Sequence, residues 1–165
     1  MTQLDFSEPF EALCPGARFV SRARTITESD VVAFASLTGD WHPQHADAEW
    51  AATSAFGERI AHGLLVVSCA AGLVRFDPER VVALRGLGDT VFKRPVRLGA
   101  TIHVEGEVSG LRPAGDDAGL VTLAWRVRNQ HGQLVCRARV DVVWRRDRPA
   151  PAAVEPEHGF VAIPL

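Results

Sequence analysis

A short stretch between Thr38 and Leu65 concentrates the side chains best suited to proton transfer. It contains Asp40, His42, His45 and His62, and therefore half of the chain's six histidines. An imidazole changes its charge near neutral pH, and a neighbouring carboxylate can orient a proton donor or acceptor beside it. The stretch is a candidate site for general acid–base chemistry.

The same side chains raise the possibility of a metal site. The spacing of His42, His45 and His62 matches no standard zinc pattern, and no cysteine lies near them in the sequence. We therefore predict that the site holds no metal ion.

Composition and charge exclude several classes of protein. The 165 residues carry interspersed charges with a formal net charge of −2, which lacks the basic footprint of a nucleic-acid-binding protein. No apolar run reaches the roughly 18 residues of a membrane span, and the first residues do not resemble a secretory signal. Because Cys14, Cys69 and Cys136 are too few and too scattered for a disulfide framework, we expect a cytoplasmic protein.

The elements that must position these residues are readable from local patterns. Residues Arg18–Ile26 alternate loosely and predict a first strand. Thr27 is a typical N-cap for a helix that runs to Thr38 and ends at Gly39. A short helix is expected over Ala46–Ala52, after the candidate loop.

A longer helix follows, from Ile60 or Gly63 to about Phe76. Because this segment is apolar on nearly all faces, we expect it to be buried. Alternating apolar residues then predict four strands, with hairpin turns at Pro113–Gly119 and His131-Gly132. The strand regions are Val81–Val96, Thr101–Val108, Leu120–Gln130 and Gln133–Arg146.

This order of elements predicts an α+β domain in which a curved antiparallel sheet wraps around the long buried helix. We divide the chain into an irregular N-terminal arm (1–16), the domain (17–146) and a Pro- and Ala-rich tail (147–165). Because a small open sheet leaves edge strands unpaired, we predict a homodimer.

Three sequence blocks resemble one known family. They are GDWHPQH at Gly39–His45, IAHGLL at Ile60–Leu65, and FKRPVRLGATI at Phe92–Ile102. In this order and spacing they are similar to the MaoC-like dehydratases and R-specific enoyl-CoA hydratases, which have the hot-dog fold. The resemblance implies reversible addition of water to trans-2-enoyl thioesters of coenzyme A or acyl carrier protein, giving (R)-3-hydroxyacyl thioesters.

The resemblance also implies roles for individual residues. Asp40 and His45 fall on the catalytic dyad, and the N–H of Gly63 on the donor to the thioester oxygen. Trp41, His42 and His62 are expected to contact the substrate, although His62 could instead support the structure, as a helix-entry histidine that bonds a backbone carbonyl. The thioester carrier is the expected ligand, and no cofactor is implied.

Other positions differ from the family pattern or have a structural explanation. His42 replaces the usual Asn, and Ala71 stands where some hydratases have a serine. Phe92 and Pro95 are predicted to be a core residue and an edge-strand residue. Arg85, Lys93 and Arg94 are candidates for binding the phosphates of the coenzyme.

Two other functions remain open at this point. The hot-dog fold is shared with acyl-CoA thioesterases, which would release a free thiol from the same class of substrate. Because His42 replaces the usual Asn, a non-catalytic subunit that binds acyl-CoA is the third hypothesis.

Overall fold

The computed structural model describes residues 2–147 as one antiparallel sheet with four helices on it. The helices are α1 (Glu28–Thr38), α2 (Pro43–Ala46), α3 (Ala48–Thr53) and α4 (Gly63–Leu73). The strands are β1 (Arg18–Val20), β2 (Arg24–Thr25), β3 (Val81–Phe92), β4 (Thr101–Pro113), β5 (Ala118–Asn129) and β6 (Leu134–Arg145). The sheet order is β1-β4-β5-β6-β3, with β2 also paired to β4. This arrangement confirms the α+β class.

The ends of α1 follow from local side-chain and backbone chemistry. Thr27 and Asp30 form a reciprocal capping box, in which each side chain accepts a hydrogen bond from the other residue's backbone N–H. Gly39 ends the helix in the left-handed conformation, at a φ of 77°. Both predicted boundaries of this helix are confirmed, and the candidate loop begins directly after it.

The first predicted strand is instead two short strands. Between β1 and β2, the Ser21 hydroxyl accepts a hydrogen bond from the backbone N–H of Val104 at 2.9 Å. The Ser21 N–H donates to the Val104 carbonyl at 2.8 Å. A side chain thus replaces one backbone acceptor of the ladder, and the two segments pair separately with β4.

Other strand ends also differ from the prediction. β4 continues to Pro113, which pairs with Gly119, so the predicted hairpin loop is shorter than expected. β3 ends at Phe92 rather than Val96, because Lys93 and Arg94 both donate to the Val135 carbonyl and Pro95 has no N–H to continue the ladder. The turn at His131-Gly132 is confirmed, with Gly132 at a φ of 71°.

Helix α4 packs its apolar side chains against the sheet. Leu65, Val66, Val67, Cys69 and Ala70 are all buried. The helix ends at Leu73, earlier than predicted, and leaves a narrow exposed stripe at Leu64, Ser68 and Gly72. The core is therefore built from one side of the sheet and most of the α4 surface.

The N-terminal residues also contribute to this core. They contain one turn of 3-10 helix at Phe10–Ala12, and the side chains of Leu4, Phe10 and Leu13 are buried. Residues 148–165 of the predicted tail lie outside the described part of the chain. Among residues 2–147, no helix combines the length and the apolar character needed to cross a lipid bilayer.

Candidate active site

A cavity of about 540 Å³ brings the predicted catalytic residues together. Asp40 reaches it from the loop after α1, His45 from α2, and His62 and Gly63 from the start of α4. Most of the remaining wall is apolar and includes Phe34, Phe56, Ile60, Leu64, Val66, Phe92, Pro95, Val96 and Val135. A concave apolar site with a few converging polar groups is typical of small-molecule binding.

Helix α2 fixes the orientation of His45. Pro43 occupies the first turn and the His42 ring caps the helix, its Nδ1 accepting from the Gln44 N–H at 3.1 Å. The Nδ1 atom of His45 lies 2.7 Å from the carbonyl oxygen of Ile60. Because a carbonyl oxygen can only accept, Nδ1 carries the hydrogen and Nε2 keeps a basic lone pair.

The environment of His45 favours this neutral form. The residue is 8 % exposed. Burial lowers the pKa of His45 below its ordinary value, and electrostatic interaction with His62 and His42 acts in the same direction, against the Ile60 carbonyl and Asp40. At neutral pH the imidazole is therefore ready to accept a proton.

The Asp40 carboxylate is exposed and only lightly held. Its Oδ1 accepts a long hydrogen bond of 3.3 Å from the His42 N–H, while its backbone carbonyl accepts from Nε2 of His62 at 3.0 Å. One polar side-chain atom from each of Asp40, His45 and His62 lies within 4.8 Å of the others. That spacing lets a single water molecule contact the carboxylate and the imidazole together.

A metal ion shared by Asp40, His45 and His62 would need a nitrogen of each imidazole ring to point at the same position. The His45 and His62 rings are stacked, with centroids 3.8 Å apart and an interplanar angle of 29°. Imidazole binds a metal in the plane of its ring, and two nearly parallel planes at this separation do not meet within bonding distance. The geometry therefore favours water over a shared metal ion, and the absence of a metal or other cofactor stays a prediction.

Gly63 is the first residue of α4 and borders the cavity. No side chain in the described residues caps this helix, so its first N–H groups remain available to a ligand. The positive end of the helix dipole also favours negative charge at this point. A Cβ at position 63 would lie 2.7 Å from Cζ of Phe92, which explains the glycine.

The other predicted substrate contacts are distributed differently. His62 lines the cavity, whereas Trp41 and His42 are not part of the wall formed by residues 2–147. Trp41 is 51 % exposed, and His42 caps α2 with its ring against Trp50. Their assignment to the substrate stays a prediction.

Two residues contribute to the cavity in ways that the sequence patterns did not indicate. Ile60 supplies the carbonyl that fixes the His45 tautomer, and only its place in the second block pointed to it. Phe92 was predicted to be a core residue, which is wrong: it is 49 % exposed and lies over Gly63. The strand ends there, so Phe92 turns into the cavity rather than into the core.

Basic residues lie on one side of the cavity. Lys93 and Arg94 contribute to its wall, and Arg94 donates to the Leu134 carbonyl at 2.9 Å. Arg94 also lines an adjoining cavity of about 610 Å³, which contains Arg97. Arg85 contributes to neither of these walls.

Comparison with known proteins identifies the family. The sequence profile of the family described as MaoC like domain matches residues 12–130. An (R)-specific enoyl-CoA hydratase of Aeromonas caviae is 37 % identical over 107 residues, which are 64 % of this chain and 77 % of that protein. The chain covers less of two other relatives: 65 % of an (R)-specific enoyl-CoA hydratase from Rhodospirillum rubrum, at 38 % identity, and 30 % of Protein MaoC from Klebsiella aerogenes, at 43 % identity.

Solved structures share the same architecture. An Archaeoglobus protein described as a monoamine oxidase regulatory protein superposes with a TM-score of 0.81 at 37 % identity, covering 86 % of this chain and 96 % of that one. A Mycobacterium tuberculosis protein described as having a double hotdog fold superposes with a TM-score of 0.77, over 90 % of this chain and 48 % of that one; at 23 % identity it shows the fold alone. The chain therefore has the hot-dog fold and belongs to the MaoC-like domain family.

Proposed function

We propose that the protein adds water reversibly to trans-2-enoyl thioesters and yields (R)-3-hydroxyacyl thioesters. One observation carries this proposal: the Ile60 carbonyl holds His45 as the tautomer whose basic Nε2 is free, in a cavity shared with Asp40 and Gly63. Relatives named as enoyl-CoA hydratases and as a 3-hydroxybutyryl-CoA dehydratase support the same class of reaction.

The chemistry needs a base, a group that positions water, and a donor to the thioester oxygen. His45 Nε2 takes a proton from water as the water oxygen bonds to C3 of the substrate. Asp40 orients that water, and the proton that His45 has taken is passed on to C2 with the help of the Asp40 carboxylate. One water molecule thus supplies both the hydroxyl on C3 and the hydrogen on C2, and His45 and Asp40 return to their starting protonation states. Negative charge that develops on the thioester oxygen is stabilised by the Gly63 N–H and the dipole of α4.

The carrier of the acyl group is coenzyme A or acyl carrier protein in this proposal. Lys93 and Arg94 line the cavity that contains His45, Arg94 also lines the adjoining cavity, and their positive charges suit phosphates. All three cysteines are free thiols, as expected for the cytoplasmic location that we include in the proposal.

A homodimer completes the proposal. β3 is an edge strand of the described sheet, and its exposed side chains include Val82, Leu84 and Leu87. Unpaired edge strands with apolar side chains favour association with another strand. We infer that a second copy of the chain pairs along this edge.

Product analysis tests the reaction class. The protein is incubated with a panel of enoyl-CoA esters in water labelled with ¹⁸O, and the products are read by mass spectrometry. Label in a 3-hydroxyacyl-CoA supports hydration. Free coenzyme A detected with a thiol-reactive dye would instead indicate the thioesterase, and binding without any product would indicate the non-catalytic subunit.

A matched pair of variants tests the catalytic carboxylate. Asp40→Asn is expected to lower kcat for crotonyl-CoA hydration by about 10²- to 10⁴-fold, the usual range for a group that acts in proton transfer. Asp47→Asn is the control, because Asp47 caps α3 by accepting from the Trp50 N–H and Asn caps equally well. Full activity of the Asp40 variant would contradict the assigned function of this residue.

A further inference from the structure

The buried histidine at the start of α4 connects the separate parts of the candidate site. His62 is 2 % exposed and is the N-cap residue of the helix that begins with Gly63. Its Nε2 lies 3.0 Å from the Asp40 carbonyl oxygen, and its ring stacks on the His45 ring at 3.8 Å. His62 therefore contacts the loop that carries Asp40, stacks on the proposed base His45, and directly precedes Gly63, the proposed donor to the thioester oxygen.

We propose that His62 is a positioning residue, which holds Asp40 and His45 in register rather than binding the substrate. The proposal rests on the hydration reaction proposed above and goes beyond the two alternatives that the sequence left open for His62, substrate contact or structural support, by naming the catalytic groups that it positions.

The hydrogen-bonding state of His62 supports this function. Since a carbonyl can only accept, Nε2 carries the hydrogen, and Nδ1 is left with a lone pair. Nδ1 is buried without a partner among residues 2–147, and it does not cap α4. His42, by contrast, uses its Nδ1 to cap α2. An unpaired buried acceptor costs stability, so the position is not explained by helix capping alone.

The contacts of the ring show why a histidine serves here. Phe34 packs near one side, with centroids 5.0 Å apart, and His45 stacks at 3.8 Å. The exposed carboxylate of Asp40 makes few contacts of its own. The hydrogen bond from His62 to the Asp40 backbone carbonyl is therefore a main restraint on the position of this residue. Small displacements of catalytic groups lower rates strongly, by about 10²-fold for roughly 1 Å.

Two substitutions separate the ring from the hydrogen bond. His62→Phe keeps an aromatic ring against His45 and removes the N–H donor. His62→Gln keeps an N–H donor at a similar reach and removes the ring. We expect His62→Phe to lower kcat for crotonyl-CoA hydration by about 10²-fold with little change in KM, and His62→Gln to retain more of the rate.

Titration of His45 is the readout that a purely structural residue would not change. Asp40, His42 and His62 are the charged or titratable groups that act on His45. His62→Phe preserves burial but removes one contribution that lowers the pKa of His45, so NMR should show that pKa rise, and the acid limb of kcat/KM should move to higher pH. Val31→Ala is the control, because Val31 is buried in α1 outside the cavity wall and its truncation should lower Tm alone.

The outcomes distinguish the two proposals. If the wild-type protein hydrates enoyl thioesters and His62→Phe keeps both its kcat and the pH profile, the positioning function is wrong. If the wild-type protein produces no hydroxyacyl product, the proposed reaction fails, and a crystal structure of His62→Phe still decides on His62. Asp40 and His45 at their wild-type positions in that structure would then overturn the positioning function.

Discussion

The carbonyl oxygen of Ile60 lies 2.7 Å from Nδ1 of His45. This bond joins the short helix α2 to the segment that leads into α4. Two other backbone bonds hold the same segment: the Ile60 N–H donates to the Gln44 carbonyl at 3.2 Å, and the Ala61 N–H donates to the Val96 carbonyl at 2.7 Å. The direction of the His45 ring is therefore set by backbone that is itself anchored on two sides.

A pH dependence follows from the burial of His45. Burial lowers the pKa of His45 from its ordinary value of 6.5, and a general base acts only in its neutral form. Activity should therefore persist below pH 6.5 and fall as the pH drops through the lowered pKa. The pH profile of kcat/KM for crotonyl-CoA measures this, and an acid limb centred above 6.5 would contradict it.

Much of the framework of this site was predictable because its signals are local. The capping box of Thr27 and the left-handed Gly39 depend on residues within one helical turn, and both predicted ends of α1 are confirmed. Helix α2 was missed, because four residues carry too little periodicity, although Pro43 after a capping residue is a start signal.

The cavity itself was not predictable from such patterns. Val135 and Phe92 reach it only through the pairing of β3 with β6, where Phe92 lies opposite Cys136. The number of residues between them along the chain does not reveal this contact. The stacking of His62 on His45 likewise depends on how α4 packs beside α2. The resemblance named the residues, and tertiary packing determined what each one touches.

A second prediction concerns the close approach of Gly63 and Phe92. In Gly63→Ala the new Cβ would lie 2.7 to 2.9 Å from the tip of the Phe92 ring, so the ring or the start of α4 must move. We expect a loss of about 1 to 2 kcal/mol in the free energy of unfolding, as for other overpacked sites, together with reduced hydration activity.

A double-mutant cycle isolates this contact. In a Phe92→Ala background, Gly63→Ala meets no ring and should cost little stability, so the two substitutions should couple by about 1 kcal/mol in urea unfolding experiments. Independent, additive effects would show that Phe92 is not the reason for glycine at this position.

A third prediction concerns the carrier. Lys93 is exposed on the cavity wall, and a single surface cation that contacts a phosphate contributes modestly. Lys93→Ala should raise KM about fivefold for crotonyl-CoA and leave KM unchanged for crotonyl-pantetheine, which lacks the nucleotide phosphates. Arg112→Ala is the control, because Arg112 lies on β4 away from both cavities. Equal changes in KM for both substrates would show that Lys93 does not bind the phosphates.

The fourth prediction tests the proposed dimer at the β3 edge. Leu84 is half exposed on this edge strand, where a second copy would bury it. Light scattering after size exclusion should give twice the 17.9 kDa of one chain for the wild type, and the single-chain mass for Leu84→Glu. Val20→Glu is the matched control: Val20 is 70 % exposed on β1, the opposite edge, and its charged variant should remain a dimer. A wild-type monomer, or equal dissociation of both variants, would exclude pairing along β3, because a specific interface should respond only to charge placed within it.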